Sequence, residues 1–320
     1  MKKAKKTAII VAVIMIAVGI VASVCAIAAM GFDFAKINTV DFEINTYTVD
    51  EAFTAISIDG AECDINLYPS EDGTCKVVCR ESDRISHTVL VKNNTLTIER
   101  QDNRKWYEHI GVYLSSMEIA LYLPENEYEK LYAKNLSGNI LAPSNFSFEA
   151  AEVQSTSGNI TFKASVSGEL SAKTVSGELY ICKTDPSKLT AQSTSGDITI
   201  DNIDTETNIN IKAVSGDIEL SNAKCQGLTV NTTSGDIELL DCIASGSVSI
   251  ESVSGNTELR RCDADSLWLK TSSGDIYGSL LSDKIFITNT TSGNVNVPHC
   301  TTGGRCEITT TGGDIEFEIK

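Results

Sequence analysis

From Leu136 to the end of the chain, apolar and polar residues alternate in short bursts, and each burst follows a Ser-Gly turn signal. With the turn glycine as position zero, position +2 holds Ile140, Ile160, Leu179, Ile198, Ile218, Ile237, Thr257, Ile276, Val295 and Ile315. Position +4 holds Phe162, Ile181, Ile200, Leu220, Leu239, Leu259, Val297 and Phe317, with Ala142 and Gly278 as the exceptions. The residues between are polar, such as Thr199, Glu219, Glu238, Glu258 and Glu316. Period-two alternation predicts a half-buried strand. A second strand is predicted upstream, where positions −7 and −5 are apolar in Ile209 and Ile211, Leu228 and Val230, Val248 and Ile250, Leu267 and Leu269.

The turn glycines are Gly138, Gly158, Gly177, Gly196, Gly216, Gly235, Gly255, Gly274, Gly293 and Gly313, always 19 or 20 residues apart. A repeat of that length is one supersecondary unit that cannot bury its apolar edge alone. Two short strands per unit leave no room for a helix. The predicted fold is therefore all-β: a parallel β-solenoid of 19–20-residue coils over 136–320. Residues 51–135 share the strand pattern with poorer periodicity, as in Cys63-Asp64-Ile65-Asn66-Leu67, Thr95–Glu99 and Met117–Leu123. They are predicted to be irregular N-terminal β coils of the same domain. On this reading the last strand, Asp314 to Ile319, is an edge in need of protection.

The start of the chain has a different pattern. Lys2, Lys3, Lys5 and Lys6 precede an uncharged stretch that reaches Phe32, and Ala8 to Met30 is almost wholly apolar. As a helix that run would be about 34 Å long, against roughly 30 Å of hydrocarbon. The expected organisation is a basic cytoplasmic tail (1–7), a single transmembrane anchor (8–30), a linker (31–50), and everything beyond outside the bacterial cell membrane. The lipid bilayer is thus the first expected partner. A rival reading is a lipoprotein signal ending at Cys25, disfavoured by Val24 where a small residue is expected.

Charge narrows the partners. The chain carries 26 basic against 43 acidic residues, a formal charge of −17. Without the four leading lysines, 22 basic groups face 43 acidic ones, a charge of −21. So acidic a domain excludes nucleic acid as a partner. Ten cysteines are present. Cys242, Cys262 and Cys300 share position +7 with Ile203, Ala223 and Leu281, which predicts a buried column at a corner. A Cys242–Cys262 disulfide is the lesser alternative. Cys75 and Cys79 have no histidine close in sequence, so a zinc site is not expected there.

Leu121-Tyr122-Leu123-Pro124-Glu125, then Tyr128-Glu129-Lys130-Leu131, then the SGD/SGN ladder resemble the bacterial putative-adhesin family, a domain of unknown function. The resemblance spans roughly residues 50–320. It implies a right-handed β-helix-like fold and a non-catalytic envelope role, and it carries no catalytic residues.

Two surface features are candidates for binding. The first is acidic: Asp217 and Asp236 at +1 in consecutive coils, with Glu219, Glu238 and Glu258 in a row at +3. Stacking puts such side chains about 4.8 Å apart, so calcium or magnesium could screen them. The bland alternative is a turn ladder in which Asx side chains satisfy backbone amides. The second is apolar: Trp268 and Ile287 at −6, with Ile285 at −8, where other coils carry Thr190, Asn210, Thr229 and Ser249. That patch suits a partner or a carbohydrate, or is covered by the chain's own end. No cofactor is implied. His87, His109 and His299 have no spaced partners, and no nucleophile motif occurs. The expected function is a non-catalytic, membrane-anchored surface solenoid for adhesion, scaffolding or envelope-stress sensing, with a cell-wall polymer, surface polymer or envelope protein as partner. The alternative is a carbohydrate-active enzyme or a cation-dependent polysaccharide-binding protein.

Overall fold

A computed structural model of the chain describes residues 2–29, 42–105 and 117–320. The N-terminal helix is α1 (Lys2–Ala29), and its described apolar side chains, such as Ile14, Met15 and Ile16, are exposed. Among the described residues no helix is long and apolar enough to cross a membrane. Most of the expected linker, and His109, lie outside the described residues.

The rest is β structure joined into one continuous sheet. In the regular region, coils pair in parallel and in the register that the glycines set. Leu189 faces Ile209, Ile209 faces Leu228, and Ile198, Ile218 and Ile237 form one column. Residues at +2, +4, −7 and −5 fill the interior, and Ile200, Ile209, Ile211 and Val230 are fully buried. Full burial of each such aliphatic contributes about 1.5–3 kcal/mol. Parallel neighbours satisfy the backbone groups that a lone coil would leave unpaired.

Five consecutive coils have a second corner that the glycine pattern does not mark. Lys183, Asn202, Asn222, Asp241 and Arg261 all stand at +6 with φ between 52° and 57°. Asn and Asp tolerate this left-handed conformation. At Arg261 the guanidinium forms a forked ion pair with Asp241 of the preceding coil. The corner turns +7 inward, so Ile203, Ala223, Cys242 and Cys262 are buried. Two expected members leave that column. A bulge between Leu259 and Cys262 puts Leu280 opposite Cys262 and leaves Leu281 exposed. Cys300 is half-exposed, beyond the short strand Val295–Asn296. All ten cysteines are free thiols.

Both ends of the stack are interleaved. Strand β1 (Phe42–Val49), in the stretch expected to be linker, runs antiparallel to β4 (Cys75–Ser82). The first coil, β2 (Ala55–Ala61) and β3 (Cys63–Pro69), lies between two later ones. On one side it pairs with β6 (Thr95–Asp102) and β7 (Met117–Leu123). On the other it pairs with β8 (Glu127–Ser137) and β9 (Ile140–Ala142). The hairpin of β4 and β5 (Ile85–Lys92) then caps β6 and β7 in antiparallel fashion. The described residues of 51–135 are thus two parallel coils under an antiparallel lid.

The C-terminal end repeats the device. The last coil, Gly304–Gly312 and Ile315–Ile319, inserts between the coil carrying Leu267 and Ile276 and the coil carrying Phe286 and Val295. The last strand is paired along its whole length with Ile276–Leu280, and on its other side only at Ile315 and Glu316, so the expected edge is covered at its start and persists over Phe317–Ile319 among the described residues. The coil left at the end is the penultimate one in sequence. Its Val295, expected to point inward, is 45% exposed.

Candidate functional site

The carboxylates at +1 divide clearly from those at +3. At +1, each Asx side chain accepts the backbone N–H of the +1 residue in the next coil. Asp217 N–H donates to Asp197 Oδ1 at 2.8 Å, Asp236 N–H to Asp217 Oδ1 at 2.8 Å, and Asn256 N–H to Asp236 Oδ1 at 2.7 Å. The ladder begins at Asp64 and extends through Asn139, Asn159, Asn256 and Asp275 to Asp314 and Asn294. It skips one rung, at Asp197, whose neighbour in the preceding coil is Glu178. Glutamate is one methylene too long to hold this geometry. Asp217 and Asp236 therefore each spend one oxygen on backbone structure.

At +3, Glu219, Glu238 and Glu258 do form a row, in direct register. The cation beside them belongs to the protein: Arg260 donates to Glu258 at 2.5 Å and lies 3.2 Å from Glu238. The guanidinium relieves the like-charge contact that would otherwise favour a bound metal.

The apolar patch is divided. Because the last coil intervenes, Trp268 and Ile287 both pair with Glu307, one on either side of it. Glu307 is bonded to Arg305 at 2.7 Å, and Arg305 is the residue opposite Ile285. The Lys270 ammonium sits over the Trp268 ring, 5.8 Å from its centroid. Trp268, Ile285 and Ile287 remain 38–44% exposed, but a charged strand separates the tryptophan from the isoleucines.

A third cluster lies inside the N-terminal cap. Glu81 and His87, both nearly inaccessible, come together where the β4–β5 hairpin folds back. Glu81 accepts from Asn45 Nδ2 at 2.5 Å, the Tyr47 hydroxyl at 2.9 Å, the His87 amide at 2.5 Å and His87 Nδ1 at 2.9 Å. His87 Nε2 lies 3.7 Å from Cys63 Sγ. Burial alone would raise the Glu81 pKa, but the bonds from Asn45, His87 and Tyr47 outweigh it and hold the carboxyl below its ordinary range. Burial lowers His87 against the pull of Glu81. Burial pushes the Cys63 and Cys79 thiols up to about 12, so neither is a nucleophile near neutral pH.

Cys79, Glu81 and His87 are the described residues that bring three potential metal-ligating atoms within 4.8 Å of one another. A histidine thus does stand beside Cys79, brought there by the hairpin and not by sequence spacing. Their chemistry would suit a thiophilic divalent cation. The four donors on Glu81 make the group a self-satisfied polar brace between β1, β4 and β5. The sequence signal for it was phase: Cys75, Val77, Cys79 and Glu81 share one buried face of β4.

Fold and surface define a β-solenoid with open, shallow grooves. The chain belongs to the Toastrack DUF4097 family, whose model matches residues 53–240 and 226–320. Among solved structures it is similar to a putative adhesin from Parabacteroides distasonis ATCC 8503, with 15% identity, TM-score 0.52, and 87% of this chain and 98% of that one covered. A putative adhesin from Parabacteroides merdae ATCC 43184 is similar at 12% identity and TM-score 0.51, over 88% and 98% of the two chains. A putative lipid binding protein from Parabacteroides distasonis ATCC 8503 gives 13% identity and TM-score 0.50, over 88% and 98%. At these identities the likeness concerns the fold. No functionally curated protein matches the chain.

Proposed function

We propose that the chain is a non-catalytic surface protein of the bacterial envelope: a rigid β-solenoid, anchored by its N-terminal helix, that presents its walls to an extracellular or wall polymer. The observation that carries this reading is the uniformity of the coils. Tight corners at the glycine and at +6 leave few loops to build a cleft, and the regular walls expose side chains in columns. An enzyme needs groups converging on one reacting atom. Here the exposed carboxylates run in parallel rows, and the Cys79–Glu81–His87 group found among the described residues has no exposed member. Adhesin and lipid-binding descriptions of the similar structures agree with a surface role. The uncharged stretch after Lys6 supports the anchor, with the lysines held inside.

The test has two parts. Protease treatment of intact cells should remove residues 42–320 while the amino-terminal lysines stay protected. Purified full-length protein, screened against wall and plant polysaccharides, should bind without turnover. Product release that vanishes on replacing one Asp or Glu would refute the non-catalytic reading.

A further inference from the structure

One face of the solenoid has a periodicity twice that of the coils. At −4 and −2, alternate coils read Lys134-x-Leu136, Lys173-x-Val175 and Lys212-x-Val214, and the coils between read Gln154-x-Thr156 and Gln192-x-Thr194. Strand pairing puts Lys134, Gln154, Lys173, Gln192 and Lys212 in one unbroken column. The three lysines are therefore two coils apart, about 9.6 Å at 4.8 Å per coil. Among the described residues none of the three forms an ion pair, although the domain around them is strongly acidic. The aliphatic members are unusually exposed for their type: Leu136 at 55%, Val175 at 45% and Val214 at 51%.

The same column lines a groove of about 420 Å³ that runs across the coils. Asn135 and Ser193 lie beneath its floor, where the alternation of the strands turns their side chains inward. The neighbouring acids are Asp59, opposite Lys134, and Glu152, which accepts from Gln154 Nε2. The ladder ends at Glu251, whose charge is taken by Lys270.

We propose that this groove binds a linear anionic glycan carrying one carboxylate per disaccharide. This deepens the surface-binding reading and rests on it. An extended disaccharide matches the two-coil step. Each lysine then meets one carboxylate, the adjacent aliphatic meets the apolar face of a sugar ring, and the Gln and Thr coils hydrogen-bond the uncharged sugar between. A repeating ligand on a repeating surface adds contacts without new geometry, so affinity rises with chain length.

The probe is a hyaluronate oligosaccharide of several disaccharides, titrated by calorimetry into the full-length protein in detergent at low salt. A neutral chitin oligosaccharide of equal length is the control. Hyaluronate should bind more tightly than the control, and added salt should weaken it. The triple variant K134Q/K173Q/K212Q should weaken binding about tenfold or more, as expected for three exposed charge contacts. K173Q/Q192K keeps the net charge but breaks the two-coil step, and it should also weaken binding. Gln and Lys already alternate in this column, at exposed Lys134 and Lys212 and at half-buried Lys173 and Gln192, and unchanged melting curves verify folding. No hyaluronate binding, binding equal to chitin, or binding unaffected by either variant overturns the ladder. The surface reading is judged separately, by cell-surface proteolysis and absence of turnover.

Discussion

Replacing Gly216 by alanine tests how closely the coils stack. Gly216 has φ +130°, and a Cβ built there would lie 2.5 Å from the Gly196 carbonyl oxygen and 2.7 Å from its carbon. Real Cβ atoms essentially never approach within 3.0 Å, so backbone must move against backbone. The left-handed conformation alone costs an L-residue about 1–2 kcal/mol. Three hydrogen bonds fasten the two coils here: Gly196 N–H to Ser215 O at 3.2 Å, Ile198 N–H to Asp217 O at 2.9 Å, and Asp217 N–H to Asp197 Oδ1 at 2.8 Å. Loss of two or three at about 1 kcal/mol each brings the total to roughly 3–5 kcal/mol. For a domain of this size that lowers Tm by about 6–20 °C. Gly312 is the control, because a Cβ there meets nothing within 4 Å and its φ is not left-handed. Gly312→Ala should melt at or slightly above the wild type. Thermal melts by far-UV circular dichroism of the three proteins decide the matter. If Gly216→Ala and Gly312→Ala melt together, the close approach is wrong.

Three further outcomes follow from the same structure. Glu178→Asp should supply the missing rung to the Asp197 amide and stabilise the protein by about 0.5–1.5 kcal/mol; a lower Tm would show that the gap has another cause. The N-terminal cap should loosen with acid in two stages. His87 is kept neutral by burial, so unfolded chains take up its proton first, and stability falls as pH drops through about 6.5. Glu81, with its pKa held low, contributes fully above about 4.3, and its share is lost below that. Hydrogen exchange over residues 75–92 should therefore speed up between pH 7.5 and 5.5 beyond what intrinsic exchange rates predict, and unchanged protection would contradict this. Arg260→Gln should lower Tm by uncovering the Glu238–Glu258 contact, and millimolar calcium should restore it. A calcium-induced rise in the wild type would instead mean that the glutamate row already holds a cation site.

The regular coils were legible because one residue class recurs at one position. Gly at zero recurs ten times, and Asx at +1 with apolar residues at +2 and +4 accompany it in most coils, so chance agreement is excluded. The +6 corner was less visible: Asn202, Asn222 and Asp241 hint at a left-handed residue, but Lys183 and Arg261 occupy the same place. The order of stacking was not legible at the ends. Ile276, Val295 and Ile315 follow equivalent turns, and nothing local says that the third sits between the first two. Sequence adjacency is the sensible default, and it was this default that placed Trp268 beside Ile287. The Glu81–His87 pair was hidden for a related reason, because a polar residue in phase with an apolar face reads as an exception until its partner is located.

The interleaved ends set where such a protein can change length. A stack whose terminal coils were simply the first and last translated could gain or lose a coil at either tip. Here, removing residues 302–320 would take out the layer on which Lys284–Ser292 rests and leave that strand with no neighbour to join. The ends behave like clasps, and duplication or deletion of coils is tolerated only between them. The uniform 19–20-residue units between Gly138 and Gly274 are where relatives of different reach should differ in number.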